Sequence, residues 1–395
     1  MSDQSTLDSY FSSTQVVCKD VLRQYAQHGI TDKLRPVVWK VLSGYLPEDT
    51  SLHEAKQKIK KAEYCNLVNF HFHVTKHKYP KAWKNVKDQI GKDIPRMSLK
   101  PFKIFKCKQF CQMLERISVV WSFEHADILF FQGLLDWVAV IILPFLFEHV
   151  PFEEARDISD IALFTDKWLL QIEADCYFTM SIVLEKYREL LEADFGRIFN
   201  AIQVLEKLIE VHHPILHTFL QEYPTAYMIA TRSFICPFTR NFYAPYVFYL
   251  FDALMTTEML HTHFYFVAGM FLENEELIIQ SEDVIQTIQS LPTHEWGLNK
   301  MRIYISNAMM LYFNDTKNFA TIFAPMSDPF ETPPYLKNNT SQLTLKQLPH
   351  LDVITECIFR YALAFLIIRI FISLFTIIAI ITATTVKKKL ELQKK

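Results

Sequence analysis

The chain has 395 residues, 41 Lys and Arg against 43 Asp and Glu, and a formal net charge of −2. Only 7 are glycine, about a quarter of ordinary usage, and no two lie close together. That excludes a GxGxxG dinucleotide turn and a P-loop, and it disfavours a strand-rich fold built on tight primed turns. With half the residues apolar and 33 phenylalanines, the composition predicts an all-α protein with a large aromatic core.

The first 27 residues read as a polar, acidic segment followed by a short helix, without the pattern of a signal or transit peptide. Amphipathic helices are predicted at roughly 14–26, 33–44, 52–69, 104–122, 168–193, 197–211, 245–270 and 280–290. Ala201, Val204, Leu205 and Leu208 give the i, i+3, i+4, i+7 stripe in its plainest form. Ile128–Phe147 is a 20-residue apolar run, long enough on length alone to span a bilayer. It carries Gln132, Asp136 and Pro144, and the motif at its start argues for a buried helix instead.

Five prolines and several Ser, Thr and Asn between 325 and 349 mark a linker, placed at 326–352. Residues 353–386 form a membrane-anchor region with its expected span at 370–386, bracketed by Arg369 and Lys387. Seventeen uncharged residues make a helix of roughly 25 Å, the short end of a spanning segment. A basic tail, 387–395, closes the chain. This is the layout of a tail anchor with the bulk of the protein in the cytosol. Lysines concentrated after the span run against the positive-inside rule, so a hairpin or surface-lying helix stands as the alternative topology.

Three short patterns follow one another upstream. The first is HGITDKLRPVVWK (28–40), with Arg35 and Trp39 four residues apart. The second is IGKDIPR (90–96), with Ile90, Asp93 and Arg96. The third is FFQG (130–133), with Phe130, Gln132 and Gly133. In this order, on a helical chain, they resemble the TBC domain of Rab GTPase-activating proteins, whose motifs run RxxxW, IxxDxxR and YxQG. Glu173-Ala174-Asp175-x-Tyr177 and Leu250-Phe251-Asp252 are weaker echoes of the same family. The resemblance covers residues 28–325 and implies a two-lobed helical domain.

The resemblance also implies a chemistry. GTP hydrolysis proceeds through a loose phosphoryl-transfer transition state, in which catalysis is positioning plus charge stabilisation. Arg96 would be an arginine finger and Gln132 a glutamine finger, both supplied in trans to a GTP-bound Rab. Guanidinium suits the first role because it is planar, permanently charged and bidentate. An amide suits the second because it both donates to and accepts from water. No cofactor of the protein's own is implied, since GTP and Mg²⁺ belong to the partner. Arg35 and Trp39 are read as structural, with the guanidinium tied to an acid or stacked on a ring. Asp93 is read as holding local geometry, and Gly133 as permitting close backbone approach. Phe130 departs from the family's tyrosine and loses a hydroxyl, a change on the order of 1 kcal/mol where that group is hydrogen-bonded. Tyr227 and Phe251 stand near family tryptophans and read as core substitutions.

Residues 76–108 hold ten lysines and Arg96 against Asp88 and Asp93, a local charge of +9, leaving −11 for the rest. A basic surface of this kind attracts a nucleotide's phosphates, an acidic protein face or anionic lipid; a solvated lysine-rich loop is an equal alternative. The seven cysteines show no CxxC spacing and read as reduced thiols. The histidines at 71, 73 and 77 and at 212, 213 and 217 lack HExxH or cysteine partners and are not read as metal ligands. Nucleic-acid binding is not expected. The sequence thus predicts a membrane-anchored activator of a Rab GTPase. Two alternatives remain: a catalytically weak Rab-binding tether on the same fold, and a multi-span enzyme or transporter using Asp136.

Overall fold

The computed structural model describes residues 7, 9–11, 13–160, 165–191, 195–223, 225–292 and 296–327. The principal helices are α1 (Lys19–Ala26), α2 (Arg35–Ser43), α3 (His53–Asn69), α4 (Pro80–Asp93), α5 (Lys108–Glu124), α6 (Leu134–Phe145) and α7 (Asp166–Glu185). They continue with α8 (Phe195–His212), α9 (Pro214–Leu220), α10 (Thr225–Ile235), α11 (Ala244–Leu254), α12 (Met259–Leu272), α13 (Val284–Ser290) and α14 (Leu298–Asn314). Among the described residues extended pairing is limited to one isolated bridge, Val16 with Asp49, so the all-helical expectation holds.

Several boundaries differ from the sequence pattern for local reasons. The expected helix at 14–26 begins only at Lys19, because Val17 donates its N–H to the Glu48 carbonyl and Tyr10 Oη accepts the Cys18 N–H. The stretch 245–270 is two helices. Thr256 Oγ1 bonds back to the Ala253 carbonyl and Thr257 Oγ1 meets Thr262 Oγ1, side-chain bonds that compete with the helical ladder. The lysine-rich segment is not a loop over residues 80–93. It forms α4, in which Trp83, Val86 and Ile90 make a narrow buried stripe and the lysines point outward.

Helix α6 settles the apolar run at 128–147. Leu129 adopts a positive φ of 56° and Gly133 one of 135°, so the run is broken before the helix starts. The helix has 12 residues, all buried. At 1.5 Å per residue that is about 18 Å, too short to span a bilayer. It packs against α5, α7 and α11, with Trp137 between the rings of Tyr187 and Phe251. The multi-span reading is thereby overturned. Among the described residues no helix is long and apolar enough to cross a membrane; the expected span at 370–386 and the basic tail lie outside them, as does the linker beyond Ser327.

Charged residues staple the core. Asp252 on α11 receives the Arg35 guanidinium at 3.0 Å through both Nε and Nη2, the Trp39 indole N–H at 2.7 Å and the Ile30 N–H at 2.9 Å. The opening RxxxW motif is therefore an acid-binding clamp joining α2 to α11. Burial works against the Asp252 charge while Arg35 and the two N–H donors work for it. Breaking such a pair from one side costs about 3–5 kcal/mol, because a lone buried charge remains. The EAD motif supplies two more clamps. Glu173 accepts from Arg116 at 2.6 Å and Tyr64 at 2.7 Å. Asp175 accepts from Lys40 at 2.8 Å and Tyr45 at 2.6 Å, and Lys40 also meets Glu148 at 2.5 Å. Residues 1–330 group as one compact unit, so the contacts draw no boundary between the two expected lobes.

Candidate functional site

Arg96 owes its position to Pro95. Proline has no N–H to donate and its ring crowds the preceding turn; here α4 ends at Asp93 and the chain tightens into a single 3-10 turn, Ile94–Arg96. Ile90, one turn earlier, is fully buried and anchors the end of α4. The Arg96 side chain is 68 % exposed, and its contact to Asp93 is loose at 3.8 Å. A salt bridge of this kind contributes under about 1 kcal/mol and leaves the guanidinium available.

Gln132 precedes α6 and is exposed, although it lies in a strongly apolar stretch. Phe130 and Phe131 on its N-terminal side pack partly into the core, Phe131 edge-on to Trp121. Gly133 on its C-terminal side is the helix N-cap. A Cβ there would lie 2.5 Å from the Ile235 carbonyl oxygen. The close backbone approach expected of Gly133 is therefore to the end of α10, whose Ile235 carbonyl also accepts the Trp137 indole N–H at 3.0 Å.

The two motif segments share one charge cluster. Burial raises the Asp93 carboxyl above its ordinary value, while the neighbouring Arg96 and Arg240 oppose that shift and Asp136 adds to it. Asp136, in the first turn of α6, is buried and accepts from Thr239 Oγ1 at 2.5 Å and from the Arg240 guanidinium at 3.3 and 3.4 Å. Asp93 thus lies in the fields of Arg96, Asp136 and Arg240 together, with Gln132 four residues before Asp136.

Sequence reasoning missed Arg240. A lone carboxylate in an apolar run signals a partner, but the partner stands 104 residues away and no local pattern finds it. The remaining candidates have other roles. His71 bonds Glu124 at 2.6 Å and Thr75 at 3.0 Å, His212 meets Asp315 at 2.6 Å and His213 meets Glu275 at 2.8 Å. Among the described residues no cluster of His, Cys, Asp or Glu could hold a metal. A cavity of about 270 Å³ is lined by Arg23, Ser43, Lys186, Thr257, Glu258 and Tyr312 among others, and by none of the motif residues.

The fold is an all-helical scaffold on which Arg96 follows the end of one helix and Gln132 precedes the start of another, both exposed. A sequence model of the Rab-GTPase-TBC domain matches residues 32–279, and the chain belongs to that family. It is 26 % identical over 308 residues to TBC1 domain family member 22B of Homo sapiens, covering 76 % of this chain and 60 % of that protein. It is 27 % identical over 301 residues to the GTPase-activating protein gyp1 of Schizosaccharomyces pombe, covering 75 % and 58 %. The chain therefore spans about three-fifths of the length of the curated relatives it matches. The crystal structure of the Ypt/Rab-GAP domain of Gyp1p has the same fold, with a TM-score of 0.72 at 22 % identity over 79 % of this chain and 98 % of that one.

Proposed function

We propose that this protein is a GTPase-activating protein for a Rab-family GTPase, with Arg96 and Gln132 as the fingers it inserts into the partner's GTP site. The observation that carries this reading is that Arg96, just after α4, and Gln132, just before α6, are both exposed, each at its family motif position. Arg96 would grip the phosphate oxygens where charge accumulates in the transition state, and Gln132 would orient the attacking water. In the Ras system an arginine finger supplied in trans accelerates hydrolysis by about 10³–10⁵-fold, which sets the scale for such a contribution. GTP and Mg²⁺ enter with the partner. Residues 370–386 would tether the domain to an organelle membrane with the domain in the cytosol, raising its effective concentration toward a lipidated GTPase.

The test is single-turnover GTP hydrolysis by a panel of Rabs with wild type, Arg96→Ala and Gln132→Ala. Stimulation of at least one Rab, reduced about 100-fold or more by either substitution, is the expected result. Equal stimulation by all three proteins would remove both residues from the chemistry. Phe130 favours a second reading, a tether that binds a Rab with weak turnover because the family tyrosine hydroxyl is absent. Binding without stimulation, and a rate gained by Phe130→Tyr, would select it.

A further inference from the structure

We propose that Arg240 is a positioning residue, which braces the two finger-bearing segments through the connector 235–244 and so fixes the geometry of Arg96 relative to Gln132. This rests on the GTPase-activating reading above.

The connector runs from the end of α10 to the start of α11 and is moored on both sides. Toward the Gln132 segment, its Ile235 carbonyl takes the Trp137 indole N–H at 3.0 Å, and its oxygen lies only 2.5 Å from where a Gly133 Cβ would be. Its Thr239 hydroxyl and Arg240 guanidinium both reach the buried Asp136 carboxylate, at 2.5 Å and 3.3 Å. Toward the Arg96 segment, the Ala244 N–H donates to the Lys100 carbonyl at 2.6 Å. Between these moorings Phe238 is buried at a positive φ of 56°, against Phe242, His263 and Phe266.

Within this connector Arg240 interacts electrostatically with acids on both sides, Asp136 of α6 and Asp93 at the end of α4. Its side chain is 39 % exposed against 3 % for Asp136, so the carboxylate has no comparable access to water as a substitute. Removing the guanidinium would leave Asp136 with only the uncharged Thr239 hydroxyl and Cys236 thiol as side-chain partners, and Asp93 facing an unscreened Asp136. Both segments would loosen. Displacements near 1 Å cost about 100-fold in reactions that depend on two aligned groups, while a binding surface built from many contacts changes less.

The full chain is tested as wild type, Arg240→Met, which keeps the stem, and Arg240→Lys, which keeps the charge but not the fork. Amide hydrogen exchange is read over 94–100 and 131–137, with α14 as an internal reference. Stimulated GTP hydrolysis is read as maximal rate and half-saturating concentration. For Arg240→Met, exchange should quicken at least about five-fold in both segments and not in α14. The maximal rate should fall at least about ten-fold with half-saturation changed less than about three-fold. Arg240→Lys should lie between. If α14 also quickens in the methionine variant, the lysine variant decides on the same criteria. Unchanged exchange in either segment, or a loss confined to half-saturation, overturns the brace and leaves the activator reading standing. Quickened exchange with no stimulation of any Rab by wild type overturns the activator reading, and the positioning role of Arg240 with it.

Discussion

At the residue scale, Gly133 and Gly91 make opposite predictions from the same chemistry. Gly133 has φ of 135° and would place a Cβ 2.5 Å from the Ile235 carbonyl oxygen and 2.9 Å from the Ile235 side chain. Backbone cannot step aside as a flexible side chain can. Gly133→Ala should therefore cost about 2 kcal/mol or more of stability from the strained φ and the clash, and it should lower stimulated hydrolysis by moving Gln132. Gly91 lies exposed on α4, with no atom within 4 Å of an added Cβ. Gly91→Ala should stabilise by about 0.5–1 kcal/mol through helix propensity. Thermal unfolding of both variants decides the matter, and two shifts of one sign would refute the argument. Gly133, Arg96 and Gln132 could be singled out because each sits in a short motif. The pairing of Asp136 with Arg240 could not be read, because a pair set by tertiary contact leaves no spacing to read.

At the element scale, helices with broad apolar stripes were legible almost to the residue: α8 was expected at 197–211 and spans 195–212. Helix α4 was obscured by its lysines, since three large apolar residues in fourteen give a weak periodic signal. Helix α12 carries a feature that sequence could not weigh. His263 is fully buried among Tyr187, Phe234 and Phe238, with its Nδ1 3.1 Å from the Tyr187 hydroxyl. Burial lowers its pKa to about 3. An unfolded histidine takes up its proton near pH 6.5. Between about pH 6.5 and 3 the unfolded chain therefore binds a proton that the native protein refuses, and stability falls on acidification by about 1.4 kcal/mol per pH unit from this group. His149 and His261 are lowered by burial too and act in the same sense. His263→Phe should make the difference in unfolding free energy between pH 7 and pH 5.5 smaller by about 1–2 kcal/mol relative to wild type. Denaturant titrations at the two pH values measure it, and an unchanged difference would show that His263 is charged in the native state.

At the scale of the whole molecule, charge is divided unevenly, and the division lies beside the proposed fingers. Residues 76–108 hold +9 against −11 elsewhere. Some of this charge is used internally: Lys87 meets Glu115 at 3.1 Å, Lys103 meets Asp157 at 2.6 Å, and Lys76 lies over the Trp83 ring. Lys81, Lys84 and Lys92 are exposed on α4, the helix that ends two residues before Pro95 and three before Arg96. Their mutual repulsion destabilises the helix slightly, and steering an acidic partner toward the fingers would offset that cost in function. Such steering acts over about a Debye length, near 10 Å at 0.1 M salt, and changes association rates more than bound-state chemistry. Reversing the three lysines to glutamate should slow association with a GTP-loaded Rab by about ten-fold or more at 50 mM salt, while leaving the maximal hydrolysis rate unchanged. The gap between variant and wild type should close as salt rises toward 0.5 M. Stopped-flow association across that range measures it. A gap that persists at high salt would mean the lysines make direct contacts; no gap at low salt, with binding to anionic vesicles lost instead, would assign the surface to the membrane.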